Sequence, residues 1–264
     1  MTDQTSSFTD TTNAFLRKLP GADSEYFRLS RTAKYSFLIA LPLFVLYEIL
    51  IFFVNFNESQ DLGLSVEFLF KKMMISAGNG PMLGLSVAVL LIGMYIFYQA
   101  RNQDVPIKRK YFGRMILESL ILAFVMGVLV SMLVGSVFGV WLTEVGQITF
   151  NRLGFLEMLT LSIGAGLYEE FFFRLLLVGG LFLLVRQFYD ESKYGRVYLI
   201  VAVIGALIFS GVHYIGSMGD DFTLASFTFR FLLGLALNAI FLLRGFGIAA
   251  WTHSLYDILV TLMT

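Results

Sequence analysis

The sequence predicts an all-α, polytopic transmembrane helical bundle of about seven spans with an intramembrane polar cavity, and three observations predict it. Of 264 residues, 57% are hydrophobic and only 14% charged, against about 45–50% and about 25% in soluble domains. The mean hydropathy is +0.77. The apolar residues also fall in blocks near the ~20 that carry a helix across a ~30 Å hydrocarbon core, not in the short alternating segments of a barrel. A formal net charge of +0 supplies no basic field for nucleic acid. The absence of cysteine removes disulfides, thiolate catalysis and cysteine metal sites.

Taken in order, residues 1–33 are polar and mixed in charge, with no apolar core ahead of a small-residue cleavage site, so they read as a cytosolic tail and not a cleaved leader. Residues 34–264 then form a single transmembrane domain. Its apolar runs are Tyr35 to Phe56, Pro81 to Tyr98, Phe112 to Trp141, Leu153 to Val185, Val197 to Tyr214, Phe222 to Leu243 and Phe246 to Met263. The third and fourth exceed one span and are expected to tilt or to continue outside the bilayer. Between the first two, Leu62 to Ala77 reads as a short interfacial helix carrying Lys71 and Lys72.

Loop charge alternates. With the N-terminus inside, the cytoplasmic segments hold fourteen basic residues, among them Arg28, Arg31, Lys108, Arg109, Lys110 and Arg244, and the opposite side holds Lys71, Lys72 and Arg152 beside Glu58, Asp61, Asp220 and Asp221. The positive-inside rule therefore predicts a cytoplasmic N-terminus and an outside C-terminus.

An ionisable group in hydrocarbon costs about 2.5–3.5 kcal/mol on insertion scales, so each must pair, line a wet cavity or act. The costly set is Glu48, Glu118, Glu169, Glu170, Arg174, His213, Arg230, His253 and Asp257. In Gly166-Leu-Tyr-Glu-Glu-Phe-Phe-Phe-Arg174, Glu170 and Arg174 are one turn apart and suited to an ion pair. Glu169 lies roughly 100° around an α-helix from its neighbour and is free to address something else. The chain has only two histidines. Phe209 stands one turn before His213, and His253 shares a face with Asp257, an arrangement that sets a tautomer or adds a polar contact to a shared ligand. In this span arrangement His213 lies near the outer end of its helix and His253 nearer the inner end of its own. One site for both then requires a shifted boundary, or chain after His213 that dips into the cavity.

These are parts for hydrolysis: a carboxylate to take a proton from water, imidazoles to orient it or stabilise an oxyanion, and an arginine to hold the second acid. Ser210 and Ser254 follow no G-x-S-x-G elbow, and no HExxH is present. Glu169, His213, His253 and Asp257 are nitrogen and oxygen donors of the kind that ligate Zn²⁺, so a metal-dependent form stays open. A transporter using the same buried groups as a proton relay, and a non-catalytic scaffold in which they serve packing, are the competing classes.

The motifs Glu169-Glu170-Phe-Phe-Phe-Arg174, Phe209-Ser-Gly-Val-His213 and His253-Ser-Leu-Tyr-Asp257 resemble the three signatures of the CPBP family, the CAAX protease and bacteriocin-processing (Abi) membrane endopeptidases. The approach to the third, Phe231-Leu-Leu-Gly234 through Arg244-Gly-Phe-Gly247, is also similar to the family. The resemblance covers about residues 153–264. It implies an intramembrane endopeptidase of a bacterial or archaeal cell membrane, acting on a membrane-associated peptide or protein. Glu169 would activate water, His213 would help bind it, and His253 with position 257 would face the scissile carbonyl. The commoner residue at 257 is Asn. An amide donates to an oxyanion, whereas an ionised Asp257 only accepts, so it must be protonated, orient His253 or bind a cation.

Overall fold

Among the residues that the computed structural model describes, 24–57, 87, 89–95, 97–98, 105–139, 154–215 and 220–263, every regular element is helical. Helix α1 (Glu25–Ser30) begins at Ser24, whose Oγ accepts from the Phe27 N–H at 3.2 Å. Helix α2 (Ala33–Asn57) follows after one turn and contains Pro42, which a membrane helix tolerates because neighbouring helices compensate the freed backbone groups. Its Tyr35 hydroxyl donates to the Pro106 carbonyl at 2.9 Å and accepts from the Lys108 N–H at 2.8 Å. That pair of bonds sets the start of helix α3 (Arg109–Phe138), which no side chain caps.

Helix α3 has 30 residues, about 45 Å at 1.5 Å per residue, and it ends at Gly139, whose φ of 68° only glycine adopts freely. Its Leu117, Ile121, Phe124, Leu129 and Val137 side chains are exposed, as expected where the solvent is lipid. Next comes one continuous helical run, Phe155–Phe188. It comprises α4 (Phe155–Gly164), a π-helical segment (Ala165–Gly179), α5 (Gly180–Val185) and a 3₁₀ turn (Arg186–Phe188). At its start the Glu157 carboxylate accepts from the Gly154 N–H at 2.6 Å.

Helix α6 (Tyr194–Val212) packs against α7 (Leu224–Arg244), which Thr223 caps through a bond from the Ser226 N–H. Gly245, at φ 83°, turns the chain directly into α8 (Phe246–Met263). This last helix is the centre of the bundle, packing on α2, α3, α4, the π segment and α7. Small residues make that possible: a Cβ on Gly247 would run into Ile39 and stand 3.0 Å from the Ser36 Cα.

Five helices are long and apolar enough to cross a membrane, Ala33–Val54, Arg109–Phe138, Phe155–Phe188, Glu191–Val212 and Leu224–Arg244. They coincide with five of the seven expected runs, and the chain is a multi-pass membrane protein. The seventh run, Phe246–Met263, is a helix whose Thr252, His253, Ser254 and Asp257 keep it out of the five. The second, Pro81 to Tyr98, is helical where described within 87–98 and otherwise lies outside the described residues. Outside them too are residues 1–23, the expected interfacial helix Leu62 to Ala77 with Lys71 and Lys72, and Glu58, Asp61 and Arg152. The count of seven is therefore not reached among the described residues.

Candidate active site

The two neighbouring acids sit in a stretch wound more widely than an α-helix. Residues 165–179 form a π-helix, whereas the spacing argument above assumed α geometry; such turns are mostly single bulges and recur at functional sites. Glycine at its end accommodates this winding: a Cβ on Gly179 would stand 3.2 Å from the Arg174 carbonyl oxygen five residues back. Near its beginning, a Cβ on Gly166 would overlap Ser254 Oγ and come within 2.6 Å of the Ala250 carbonyl oxygen. Backbone therefore meets backbone where the π segment crosses α8, and Glu170, one turn later, is delivered to His253.

Glu170 and Arg174 are both fully buried, at 0% exposure. Glu170 Oε1 is 2.9 Å from Arg174 Nη1 and 2.7 Å from His253 Nδ1. A carboxylate accepts, so Nδ1 is the protonated nitrogen of that bond and Nε2 faces the other way. Nε2 lies 3.6 Å from Asp257 Oδ2, so the imidazole stands between two carboxyl groups. The expected i, i+4 pairs are thus both present, and Glu170 also joins them across two helices.

Glu169 turns to a different partner, as its position beside Glu170 suggested. Its Oε2 lies 3.9 Å from His213 Nε2, beyond hydrogen-bond length. His213 Nδ1 is committed elsewhere: it donates to the Phe209 carbonyl at 2.7 Å, which leaves Nε2 toward Glu169. With Nε2 unprotonated, the pair would suit a molecule that donates to both.

Phe209 joins the two halves. Its ring lies 4.9 Å from the His213 ring, 6.2 Å from the His253 ring and 5.2 Å from Phe173, and the Arg174 guanidinium carbon stands 4.2 Å from its centroid. Both histidines thus border one ring although their span positions placed them at different depths. The boundaries of α6 lie within three residues of expectation, and the Asp220 N–H donates to the His213 carbonyl at 2.9 Å.

All six sequence-predicted site residues, Glu169, Glu170, Arg174, His213, His253 and Asp257, therefore fall in one cluster between the π segment, the end of α6 and the middle of α8. The remaining costly residues go elsewhere. Glu118 pairs with Arg244, Glu48 accepts from the Tyr168 hydroxyl at 3.0 Å, and Arg230 pairs with Asp220. The bond from His253 to Glu170 and the Gly166–Ser254 crossing were not foreseen. The one available signal for the crossing was the small-residue run Ser162-Ile-Gly-Ala-Gly166 ahead of the acids.

Among the described residues no group of three His, Asp or Glu side chains converges as a metal site, although each histidine has its Nδ1 held by Glu170 or the Phe209 carbonyl and its Nε2 turned toward a carboxyl group, the orientation that a ligating imidazole also takes.

Residues 150–259 match the family model described as type II CAAX prenyl endopeptidase Rce1-like. The matched stretch runs from ahead of α4 into α8 and contains all six cluster residues, in agreement with the resemblance drawn from the three short signatures. No curated protein and no solved structure matches the chain.

Proposed function

Starting from the Rce1-like match over residues 150–259, we propose that this chain is an intramembrane endopeptidase whose nucleophile is a water activated by Glu169. The observation that carries the reading is the 3.9 Å gap between Glu169 Oε2 and His213 Nε2, whose ring is held at Nδ1 by the Phe209 carbonyl and which acts as an acceptor in this scheme. A water in that gap donates one hydrogen to each and turns its lone pair outward.

Attack forms a bond from the water oxygen to the scissile carbonyl carbon while the water proton passes to Glu169. His253, doubly protonated and held at Nδ1 by Glu170, offers its Nε2–H to the oxyanion, with Asp257 as counter-charge. This gives Asp257 an orienting role in place of the oxyanion donor that asparagine would be. When the tetrahedral intermediate collapses, the C–N bond breaks and Glu169 returns its proton to the leaving nitrogen. The products are a new carboxylate and a new amine. Arg174 touches neither water nor carbonyl in this scheme and holds Glu170 in place. The N-terminus is cytoplasmic in this reading, on the loop-charge argument.

The description of the matching family names a prenylated CAAX peptide, which makes a farnesylated CAAX peptide the first probe. Purified protein in detergent is expected to release the C-terminal tripeptide, read by mass spectrometry, and to do so after exhaustive chelation. Loss of release on chelation, restored by Zn²⁺, would replace the glutamate scheme with a metal-dependent one. Flux in proteoliposomes with no new peptide termini in the surrounding membrane proteome would favour a carrier.

A further inference from the structure

Arg230 lies inside α7, one of the five membrane-spanning helices, where its charge demands a partner, and the scheme above does not use it. Its guanidinium gathers three groups. Nη2 pairs with Asp220, and Nη1 donates to the Tyr214 hydroxyl at 2.8 Å and to Ser226 Oγ. Two of the three adjoin His213: Tyr214 follows it in the chain, and the Asp220 N–H donates to its carbonyl at 2.9 Å. The Tyr214 ring packs on Phe222 and Phe227 at 5.1 and 6.2 Å, and Ser210 Oγ donates to the Phe227 carbonyl at 2.8 Å. The end of α6 is therefore tied to the first two turns of α7 on both sides of the histidine. Arg230 also lies within electrostatic reach of His213 and Asp257.

We infer that Arg230 and Asp220 form a clamp that positions His213 against Glu169, making them positioning residues of the site. The inference rests on the proposed role of His213. His213 stands at the C-cap of α6, where its Nδ1 bond to the Phe209 carbonyl fixes the ring relative to its own helix, and the ties to Arg230 fix that helix end relative to α7. Arg230 supplies the restraint because its planar fork addresses several acceptors at fixed angles, which a lysine ammonium does not reproduce. A side chain displaced by about 1 Å loses roughly 100-fold in rate, so the clamp has a kinetic consequence although it touches no substrate.

The test uses the two-histidine composition of the chain, which allows the imidazole signals of ¹³C,¹⁵N-histidine-labelled protein in detergent to be read individually. Asp220→Asn keeps the backbone bond and removes the ion pair, and Arg230→Lys keeps the charge and removes the fork. Both are expected to shift and broaden the His213 signals, leave those of His253 in place, and keep the melting temperature within a few degrees. On the farnesylated CAAX peptide, kcat is expected to fall about tenfold to 100-fold with KM unchanged. Asp221→Asn, the same charge change one residue on at an exposed position, is expected to alter neither signal nor rate. Unmoved His213 signals in both clamp variants would overturn the inference, as would a loss confined to melting temperature. Full turnover by His213→Ala would instead overturn the role of His213 and leave the signal shifts as the measure of the clamp.

Discussion

Of the carboxylate–arginine pairs among the described residues, Glu118–Arg244 and Glu170–Arg174 differ in how completely they are satisfied. At the α1 end, both Glu118 oxygens are taken: Arg244 Nε addresses Oε1, while Arg244 Nη2 and the Tyr26 hydroxyl reach Oε2 at 2.8 and 2.6 Å. Arg244 Nη2 also donates to Ser30 Oγ, and its guanidinium sits over the Phe27 ring at 4.4 Å. This is bidentate recognition, the strong and geometrically specific form of the pair. In the candidate site, by contrast, Glu170 places one oxygen between Arg174 and His253, and its Oε2 has no hydrogen-bond partner among the described residues. The Arg174 nitrogens are likewise buried without well-aligned acceptors, with an aromatic face beneath them. A pair whose carboxylate has both oxygens taken fastens helices, even with Arg244 Nη1 buried without a hydrogen bond among the described residues. An unsaturated one in a fully buried place holds a costly arrangement that packing alone does not require, and each such group calls for a reason.

The sharpest way to break this comparison is at Glu169. Glu169→Gln keeps shape and loses the proton acceptor, so turnover of the prenylated peptide is expected to fall by about 10²–10⁴-fold with an unchanged melting temperature. Near-wild-type cleavage would remove Glu169 as base. Glu170→Gln should retain measurable turnover and melt lower, separating two adjacent acids by kind of defect.

Arg174→Ala strands Glu170 and is expected to cost about 3–5 kcal/mol, the range for breaking a buried pair from one side, seen as poor expression and a lowered melting temperature. An Arg174→Ala protein that is fully stable and inactive would instead put Arg174 on the substrate. At the other pair, Glu118→Gln is expected to cost about 1–3 kcal/mol and to leave kcat per folded molecule intact. Lost turnover without lost stability would show that the fastener also serves the site.

The smallest effect is at the exposed end of α1. The Lys108 ammonium, and after it the Tyr111 hydroxyl at 2.8 Å, hold the Glu25 carboxyl below its ordinary value of 4.5. A lowered folded value means that the contribution is present above pH 4.5 and is lost as pH falls through the folded value. Wild type is therefore expected to lose melting temperature on acidification below pH 4.5 more steeply than Glu25→Gln. Parallel curves would remove that contact from the stability of the α1 end.

What the sequence determined by itself is everything governed by the helix repeat and by the energetics of hydrocarbon. Apolar runs of span length placed five long helices, because lipid offers no partner to an open backbone. Spacings of four placed Glu170 by Arg174, Phe209 by His213 and His253 by Asp257, because one turn brings such residues onto a common face. Tertiary structure alone decided which faces meet. Glu170 reaches His253 across 83 positions and Arg244 reaches Glu118 across 126, and neither follows from local periodicity. Glu48 and Glu118, intramembrane acids without a motif, acquire partners only through packing. The π winding of 165–179 belongs to the same class: no residue pattern in the stretch announces it. The absence of a Cβ at Gly166 and Gly179 permits that crossing and that winding, and the close contacts around Gly166 exist only once α8 is in place.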